Sequence, residues 1–181
     1  MERPRLRLML CAEILQDLRH SDCIEEILET IATKLLNFLQ VTHVCIYKLD
    51  KLDKSENIQQ NISITGKIVA EAIASASEHY SQISSQISIE SILSEEYQLI
   101  ESATKKVSGA VNLAEIFVEK PYLLVPIDLS EGDQEMSLWG FLTVNKFSTS
   151  NSNNGSFQNS WDQDDVLMLQ QIAMQIEIAL Q

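Results

Sequence analysis

Two segments of the chain are apolar at almost every position, and a short polar turn separates them. They read YLLVPIDL over residues 122–129 and MSLWGFLTVNKF over residues 136–147, with SEGDQE between them. A strand with one face in water alternates apolar and polar residues, whereas a strand that is covered on both faces does not. These segments therefore predict a β-hairpin at the centre of a sheet whose two faces are both covered.

Helices and further strands are predicted on either side of this hairpin. Four segments have apolar residues at helical spacing and predict amphipathic helices: residues 6–18, 24–39, 89–106 and 162–181. Three segments predict strands, the first two of them antiparallel to each other: residues 41–50, 66–73 and 107–118. Capping boxes that begin at Asp22 and Ser160 mark the starts of two helices, and residues 148–160 form a Ser/Asn-rich loop. The pattern indicates one α+β domain over residues 1–181, with residues 1–20 as an N-terminal helix.

The net charge argues against two classes of partner. The chain has 26 acidic and 13 basic residues, a formal net charge of −13, so polyanions and anionic membranes are repelled over most of its surface. Three arginines at positions 3, 5 and 7 are interpreted as a solvated face rather than a nucleic-acid-binding arm. The segment RLRLMLCAEIL is too short to span a bilayer and contains Arg and Glu. We therefore predict that the protein binds neither nucleic acid nor membranes.

The cysteines indicate a reducing compartment. The chain has three cysteines, Cys11, Cys23 and Cys45, without CxxC spacing. An odd number of widely separated cysteines is typical of reduced thiols in a cytoplasmic protein. They are interpreted as small buried hydrophobic residues. A zinc or iron–sulfur site is the alternative if the three converge in space, but their spacing does not support it, and we predict no metal.

No motif for catalysis is present. The sequence contains no HExxH, no P-loop and no GxSxG. His43 lies two residues before Cys45 in a predicted strand, so both side chains point to the same face. A buried His whose hydrogen bonds are satisfied by a neighbour is the favoured interpretation, and we predict that the protein is not an enzyme.

The order of these elements and several stretches of sequence resemble the GAF domain. The stretches are ILETIATKLLNFLQVTHVCIYKLD, YLLVPI, LWGFLTV and SWDQDDVLMLQQIAMQIEIALQ, and they look like those of GAF domains in cyanobacterial phytochrome-like sensors. The resemblance implies a six-stranded antiparallel sheet, with the N- and C-terminal helices packed on one face and a ligand pocket on the other. It also implies a cytoplasmic sensory module of a two-component signalling protein.

The chain departs from the bilin-binding members of that family. In those proteins a Cys followed by His, on a helix before the VPI strand, carries the chromophore. This sequence has no Cys-His pair, only FVEKP lies between Ile116 and Tyr122, and every cysteine precedes position 46. The family's second chromophore cysteine is missing as well. We therefore predict no covalent bilin and no cofactor, and a bilin held without a covalent bond remains an alternative.

A second family motif is present in imperfect form. Cyclic-nucleotide-binding GAF domains carry an Asn-Lys pair, an aromatic residue and an Asp-Glu pair, in which the Lys and Asp form a salt bridge that ties a strand to the last helix. Asn145, Lys146 and Asp164 correspond to that latch, with Phe157 or Trp161 as the aromatic residue. The resemblance predicts a structural latch, and a surface Lys near an acidic helix start is the alternative.

The predicted function is that of a non-catalytic sensory module which relays ligand or partner state through its terminal helices. Strand phase places four side chains on one face as a possible small-molecule pocket: Tyr47, Glu71, Trp139 and Phe141. Five apolar residues of the terminal helices are the candidates for a homodimer interface: Leu10, Ile14, Leu169, Ile172 and Ile176. Packing on their own sheet is the alternative for these five. A cyclic-nucleotide-binding domain and a ligand-free dimerisation spacer are the alternative functions.

Overall fold

The computed structural model describes residues 2–20, 22–50, 65–74, 89–97, 100, 113–117, 120–129, 137–146 and 161–181. Its long helices are α1 (Glu2–His20), α2 (Ile24–Leu39) and α5 (Gln163–Leu180). Residues 89–97 form a further helix, α3, and Leu113–Ile116 form the short helix α4. The strands are β1 (His43–Leu49), β2 (Gly66–Ile73), β3 (Tyr122–Leu129) and β4 (Ser137–Asn145). None of the helices in these ranges has the length and apolar character needed to cross a bilayer.

The strands form one antiparallel sheet in the order β2-β1-β4-β3. Both predicted strand pairs are confirmed, and β2 has the predicted bounds. The described ranges contain four strands rather than the six that the family resemblance implied. One reason is local: residues 113–116, within the short strand predicted over 107–118, form the helical turn α4. Strand β3 is an edge strand of this described sheet, so only the β4 half of the hairpin lies at its centre.

The two faces of the sheet differ in character. Residues that pair across an antiparallel sheet share a face, and the faces alternate along each strand. One face is apolar where α2 and α5 cover it, with α1 packed on those two helices. Its strand residues are Val44, Ile46, Ala70, Ala72, Leu123, Val125, Leu142 and Val144. The opposite face, here called the polar face, is joined to α3 and α4. Its residues include His43, Cys45, Tyr47, Glu71, Tyr122, Leu124, Phe141, Thr143 and Asn145.

Two local features differ from the predicted helix starts. Asp162, not Ser160, is the N-cap of α5, and its side chain accepts a hydrogen bond from the Asp164 backbone N–H. In the described part of the chain, the N-cap of α2 is Cys23 rather than Asp22, and no side chain caps it. Helix α2 is therefore held mainly by its buried apolar stripe, which extends from Ile27 to Leu39.

A glycine in β4 permits a close approach between two strands. Gly140 pairs with Lys48 of β1, and the register of β4 against β3 shifts beside it. A Cβ atom at position 140 would lie 2.1 Å from the Tyr47 backbone oxygen. Only glycine fits at this position without displacing β1.

Candidate functional site

Three polar side chains from three neighbouring strands form a hydrogen-bonded row on the polar face. His43 of β1 lies between Glu71 of β2 and Asn145 of β4. The His43 Nε2 atom is 2.8 Å from Glu71 Oε1, and the Asn145 Nδ2 atom is 3.1 Å from His43 Nδ1. The exposed fraction is 12% for the His43 side chain and 11% for that of Glu71, and Asn145 is 2% exposed. We call these three residues the polar row.

The hydrogen-bond roles in the polar row follow from the amide of Asn145. Its Nδ2–H donates to His43 Nδ1, so the other ring nitrogen, Nε2–H, is the one that donates to Glu71. The remaining atom, Asn145 Oδ1, is buried and has no hydrogen-bond partner among the described residues. The prediction that neighbours satisfy the hydrogen bonds of His43 is confirmed, and the residue is partly buried rather than fully buried. The unsatisfied amide oxygen could not be predicted, because it depends on contacts across strands that are distant in sequence.

Cys45 lies on the same face, directly across from Glu71 in the strand register. Burial raises the pKa of the Cys45 thiol, and the Glu71 carboxylate raises it further. A thiol with a raised pKa is a poor nucleophile because the thiolate is the reactive form. The His43–Cys45 pair therefore lacks the activated thiol that nucleophilic catalysis requires.

Three of the four residues predicted for the pocket share the polar face. Tyr47 and Phe141 pair across β1 and β4, both are fully buried, and Glu71 belongs to the polar row. The Tyr47 hydroxyl donates to Glu90 of α3 over 2.9 Å. Burial raises the pKa of Tyr47, and the Glu90 carboxylate raises it further. This bond attaches α3 to the polar face.

Trp139 is set apart from the other three. It lies where the register of β4 against β3 shifts, between the paired residues Leu138 and Gly140. Its ring lies 5.8 Å from the Nζ atom of Lys48, an exposed residue of β1. Strand alternation from sequence could not foresee this irregularity.

A second polar cluster joins α3 to β3. Glu96 of α3 is buried, accepts a hydrogen bond from the Tyr122 hydroxyl over 2.9 Å, and forms an ion pair with Lys120. Phe117, after α4, packs edge-on against the Tyr122 ring at a centroid distance of 6.1 Å. Tyr122 also pairs with Asn145 across β3 and β4. Asn145 therefore lies between His43 and Tyr122, each of which is bonded to a carboxylate.

The end of β4 is connected to the start of α5. The Lys146 Nζ atom lies 4.0 Å from the centre of the Trp161 ring, and the Trp161 indole N–H donates to the Lys120 carbonyl over 3.1 Å. Burial lowers the pKa of Lys146. We call Lys146 and Trp161 the junction. Of the two aromatic candidates, Trp161 is the one that contacts Lys146, and Phe157 lies outside the described residues.

The acidic start of α5 is bound by α1. Arg7 is 8% exposed and donates to Asp162 and Asp165 over 2.7 Å each and to Asp164 over 3.2 Å. Arg3 adds a bond of 2.7 Å to Asp165. We call Arg7 and its three aspartates the arginine clamp. Burial by itself would raise the pKa of Asp162. The Asp164 backbone N–H and the Arg7 guanidinium outweigh burial and together hold this pKa below its usual value.

The clamp corrects two predictions. Position 7 is buried at an intramolecular contact rather than part of a solvated basic face. The predicted salt bridge between Lys146 and Asp164 is not among the ion pairs of the described ranges. The physical reason is that Arg7 carries several donors in a planar fork and can bind three carboxylates, whereas Lys146 is directed onto the Trp161 ring. Asn145 binds His43 and does not take part in the junction through its side chain.

The five residues proposed for a dimer interface are buried within their own chain. Leu10, Ile14, Leu169, Ile172 and Ile176 are at most 8% exposed, and they belong to the core that α1, α5 and the sheet share. They are therefore unavailable to a second copy. Other large apolar residues of α1 and α5 are exposed instead: Leu6, Leu8, Met9, Leu167, Met174 and Ile178.

Within the described ranges, no group of three or more His, Cys, Asp or Glu side chains is arranged to hold a metal ion. Cys11 and Cys23 are partly buried near the N-terminus and Cys45 is buried in β1, each as a free cysteine. The alternative of a thiolate-bound metal therefore has no geometric support from the described residues.

A family model with the description GAF domain matches residues 24–180. The chain belongs to the GAF domain family, as the sequence motifs predicted. No curated protein matches the chain. Solved structures of GAF domains do match, and their fold is the one described above.

Three of these structures illustrate the similarity. The far-red absorbing dark state of JSC1_58120g3 with bound biliverdin IXa has a TM-score of 0.57 and 16% identity, over 95% of this chain and 97% of that one. A phycocyanobilin-bound GAF domain from a cyanobacterial phytochrome has a TM-score of 0.55 and 17% identity, over 96% and 93%. The GAF domain of an Acinetobacter phosphoenolpyruvate-protein phosphotransferase has a TM-score of 0.54 and 14% identity, over 97% of this chain and 92% of that one. At these identities the likeness concerns the fold alone.

Proposed function

We propose that this GAF domain is a non-catalytic sensory module of a cytoplasmic bacterial two-component signalling protein. In this proposal, a ligand or partner acts at the polar face, and α1 and α5 carry the resulting change outward. Support comes from the family, which includes GAF domains of phytochromes, and from the buried polar row on the face away from the terminal helices.

The observation that carries the proposal is the position of two consecutive residues at the end of β4. Asn145 is bonded to His43 on the polar face, and Lys146 lies on Trp161 at the start of α5. The next residues of α5 are held to α1 by the arginine clamp. A shift of β4 caused at the polar row is therefore transmitted through the junction to both terminal helices, because packed elements move as units.

Hydrogen exchange of α1 and α5 tests the relay. Glu71→Gln and His43→Gln perturb the polar row, and we expect each to change exchange rates over residues 2–20 and 163–180. Trp161→Leu removes the aromatic side of the junction. When either substitution is combined with Trp161→Leu, the double variant should have the same exchange rates in α1 as the single variant Trp161→Leu. Lys67→Gln, at an exposed position of the same strand as Glu71, is the matched control. Unchanged exchange rates in α1 and α5 of Glu71→Gln and His43→Gln would contradict the relay.

The absence of a covalent bilin is part of the proposal. Covalent attachment needs an accessible thiol, and Cys45, on the polar face, is fully buried with its pKa raised by burial. Cys11 and Cys23 lie in α1 and at the start of α2, elements on the other side of the sheet. The thiols of this chain therefore do not fit a covalently held chromophore. Recombinant chain produced together with a bilin should lose all visible absorbance on denaturing electrophoresis.

Homodimerisation through the terminal helices is retained with different contact residues. Leu167, Met174 and Ile178 are each more than half exposed, and their spacing of seven and four residues places them on one stripe of α5. Gln171 completes this stripe, so it carries no charge. In a chain with a net charge of −13, an uncharged apolar stripe is the surface where two copies meet with the least repulsion.

A ligand-free spacer is the second candidate function. A fully hydrogen-bonded polar face would favour it, since nothing on that face would then require a ligand. The unpartnered Asn145 Oδ1 atom is the observation against it. A cyclic-nucleotide-binding domain finds little support on this face, because Glu71, Glu90 and Glu96 would repel a phosphate.

A further inference from the structure

We propose that the first two turns of α1, residues 2–9, form a strap that is released from α5 as a unit while the rest of α1 stays in place. We call residues 2–9 the strap. The inference rests on the proposed function for its role, because it identifies the part of α1 that moves in the relay. Two independent observations carry it: the distribution of buried side chains along α1, and the kind of contact that holds each part of the helix.

The first observation is that burial along α1 changes at Leu10. Among residues 2–9, Arg7 is the only buried residue. The large apolar residues of the strap are 48–72% exposed: Leu6, Leu8 and Met9. From Leu10 onward the helix places Leu10 and Ile14 in the core, and Leu18 packs against it. Because buried apolar area is what holds a helix to a core, apolar packing holds α1 mainly from Leu10 onward.

The second observation is that the polar contacts of α1 divide at the same place. Before Leu10, the arginine clamp and Arg3 bind the start of α5. After Leu10, Asp17 and Glu13 bind Lys34 of α2, at 2.7 Å and 3.4 Å from its Nζ atom. The two parts of α1 are therefore held to different helices. Release of the strap from α5 leaves the ion pairs with α2 in place.

The arginine clamp favours two discrete positions of the strap. Arg7 reaches all three aspartates from one guanidinium, so these bonds form and break together. The docked position is favoured because the Asp165 side chain is 7% exposed, and a buried carboxylate without its cation is costly. The Asp162 and Asp164 side chains are 48% and 67% exposed, so salt screens their bonds to Arg7. The strap is therefore closed at rest, and its release requires the loss of ion pairs rather than of core packing.

Such a strap gives α1 a movable end. When the strap is docked, it follows the start of α5, which the junction places beside the end of β4. When the strap is released, it no longer follows α5, while residues from Leu10 onward remain in the core. The state of the arginine clamp therefore decides whether α1 and α5 move together.

Native-state hydrogen exchange of the full 181-residue chain at low concentrations of urea tests this division. The helix starts at Glu2, and its first four N–H groups have no partner within the helix, so the strap protects the amides of residues 6–9. The amides of residues 14–18 bond to carbonyls of the later part of α1. We expect the amides of residues 6–9 to exchange by local opening with little dependence on urea. Those of residues 14–18 should show the urea dependence of global unfolding. If both groups share one urea dependence and one free energy of opening, the strap is not a separate unit and the inference is overturned.

Salt and a variant without the charge test the cause. A rise in salt from about 0.1 M to about 1 M shortens the screening length from about 10 Å to about 3 Å, and should speed exchange of the amides of residues 6–9. Arg7→Gln keeps a polar side chain but removes the charge. It should speed their exchange at least about tenfold after correction for intrinsic rates, since hydrogen bonds to charged groups contribute that much.

Arg5→Gln is the matched control, since Arg5 is an exposed residue of the strap, and it should leave this exchange unchanged. Equal exchange of residues 6–9 in the two variants would overturn the role of Arg7. If Arg7→Gln does not fold, as judged by circular dichroism, the urea and salt series of the wild type decide.

The outcomes also separate the strap from the relay. If the amides of residues 6–9 open locally while α1 and α5 do not respond to Glu71→Gln, the relay is wrong and the strap stands. If both helices respond to Glu71→Gln while residues 6–9 open only with the whole domain, the relay stands and the strap is wrong.

Discussion

Replacement of Arg7 by alanine removes the cation that three aspartates share. Asp165 is the important partner, because it is 5% exposed and, among the described residues, would keep only Arg3 as an ion-pair partner, whose side chain is 57% exposed. Removal of one partner of a buried ion pair costs about 3–5 kcal/mol, because the remaining charge stays buried. The bonds to the exposed Asp162 and Asp164 contribute at most about 1 kcal/mol each. We therefore expect Arg7→Ala to lower the free energy of unfolding by about 3–5 kcal/mol.

Urea unfolding followed by far-UV circular dichroism measures this loss at pH 7. In a protein of this size, each kcal/mol corresponds to a shift of about 2–4 °C in the melting temperature, so the variant should melt roughly 6–20 °C lower. Arg5→Ala is the matched control, since Arg5 is an exposed residue of the same helix. If the two variants are equally stable, the reasoning about the clamp is refuted.

The same clamp predicts a response to acid. The pKa of Asp162 lies below its ordinary value of 3.8, so the folded state binds fewer protons than the unfolded state near that pH. The resulting stabilisation is fully present above about pH 4 and is lost as the pH falls through the folded pKa. Arg7→Ala weakens the cause of the low pKa, so its stability should fall less steeply than that of the wild type as the pH is lowered from 4 to 2.

Three further predictions concern other parts of the molecule. Gly140→Ala should cost at least about 1–3 kcal/mol in urea unfolding, because overpacked contacts carry that penalty and the new Cβ would meet the Tyr47 backbone oxygen; a neutral effect would show that the strands separate easily. Burial raises the pKa of Glu177 and outweighs the hydrogen bond from the Asp128 backbone N–H, which lowers it, while the Asp128 charge adds a smaller increase; the folded state therefore binds more protons, and stability decreases as the pH rises above about 4.5. Glu177→Gln should therefore raise the urea midpoint at pH 7 and flatten that slope; an unchanged midpoint would contradict the assigned cause. Met174→Glu should convert a dimer to a monomer in analytical ultracentrifugation while Glu115→Gln does not; a dimer that persists excludes this stripe of α5.

The strands and helices were predictable because their signal is local. The run of apolar residues in β4 predicts a strand that is buried on both faces. The structure places buried Leu142 on one face and buried Phe141 on the other. The apolar stripes of α1 and α5 were also visible in the sequence. The surface that these stripes contact was not visible in the sequence. Ile14 and Ile176 would show the same spacing whether they contact a second copy or their own core, and the structure places them in the core.

The predictions of the helix caps and of the latch were wrong for a different reason. A capping box predicts a bond between residues three positions apart, but Asp162 competes with Ser160 for the same helix start and is the N-cap in the structure. The latch was carried over from other GAF domains, in which Lys and Asp meet. Here Arg7 approaches from α1 and takes the aspartates, so Lys146 contacts Trp161. Which cation reaches a carboxylate depends on packing that the motif does not encode.

The sequence by itself determined most element types and the antiparallel strand pairs, since apolar periodicity records which side of each segment is buried, and the resemblance of its motifs indicated the family. Only the tertiary structure decided which polar groups meet. His43 lies 28 positions from Glu71 and 102 from Asn145, and Arg7 lies 158 positions from Asp165. At such separations a hydrogen bond depends on strand register and helix packing, which arise from the whole core. The buried polar contacts of this GAF domain are therefore a property of its fold.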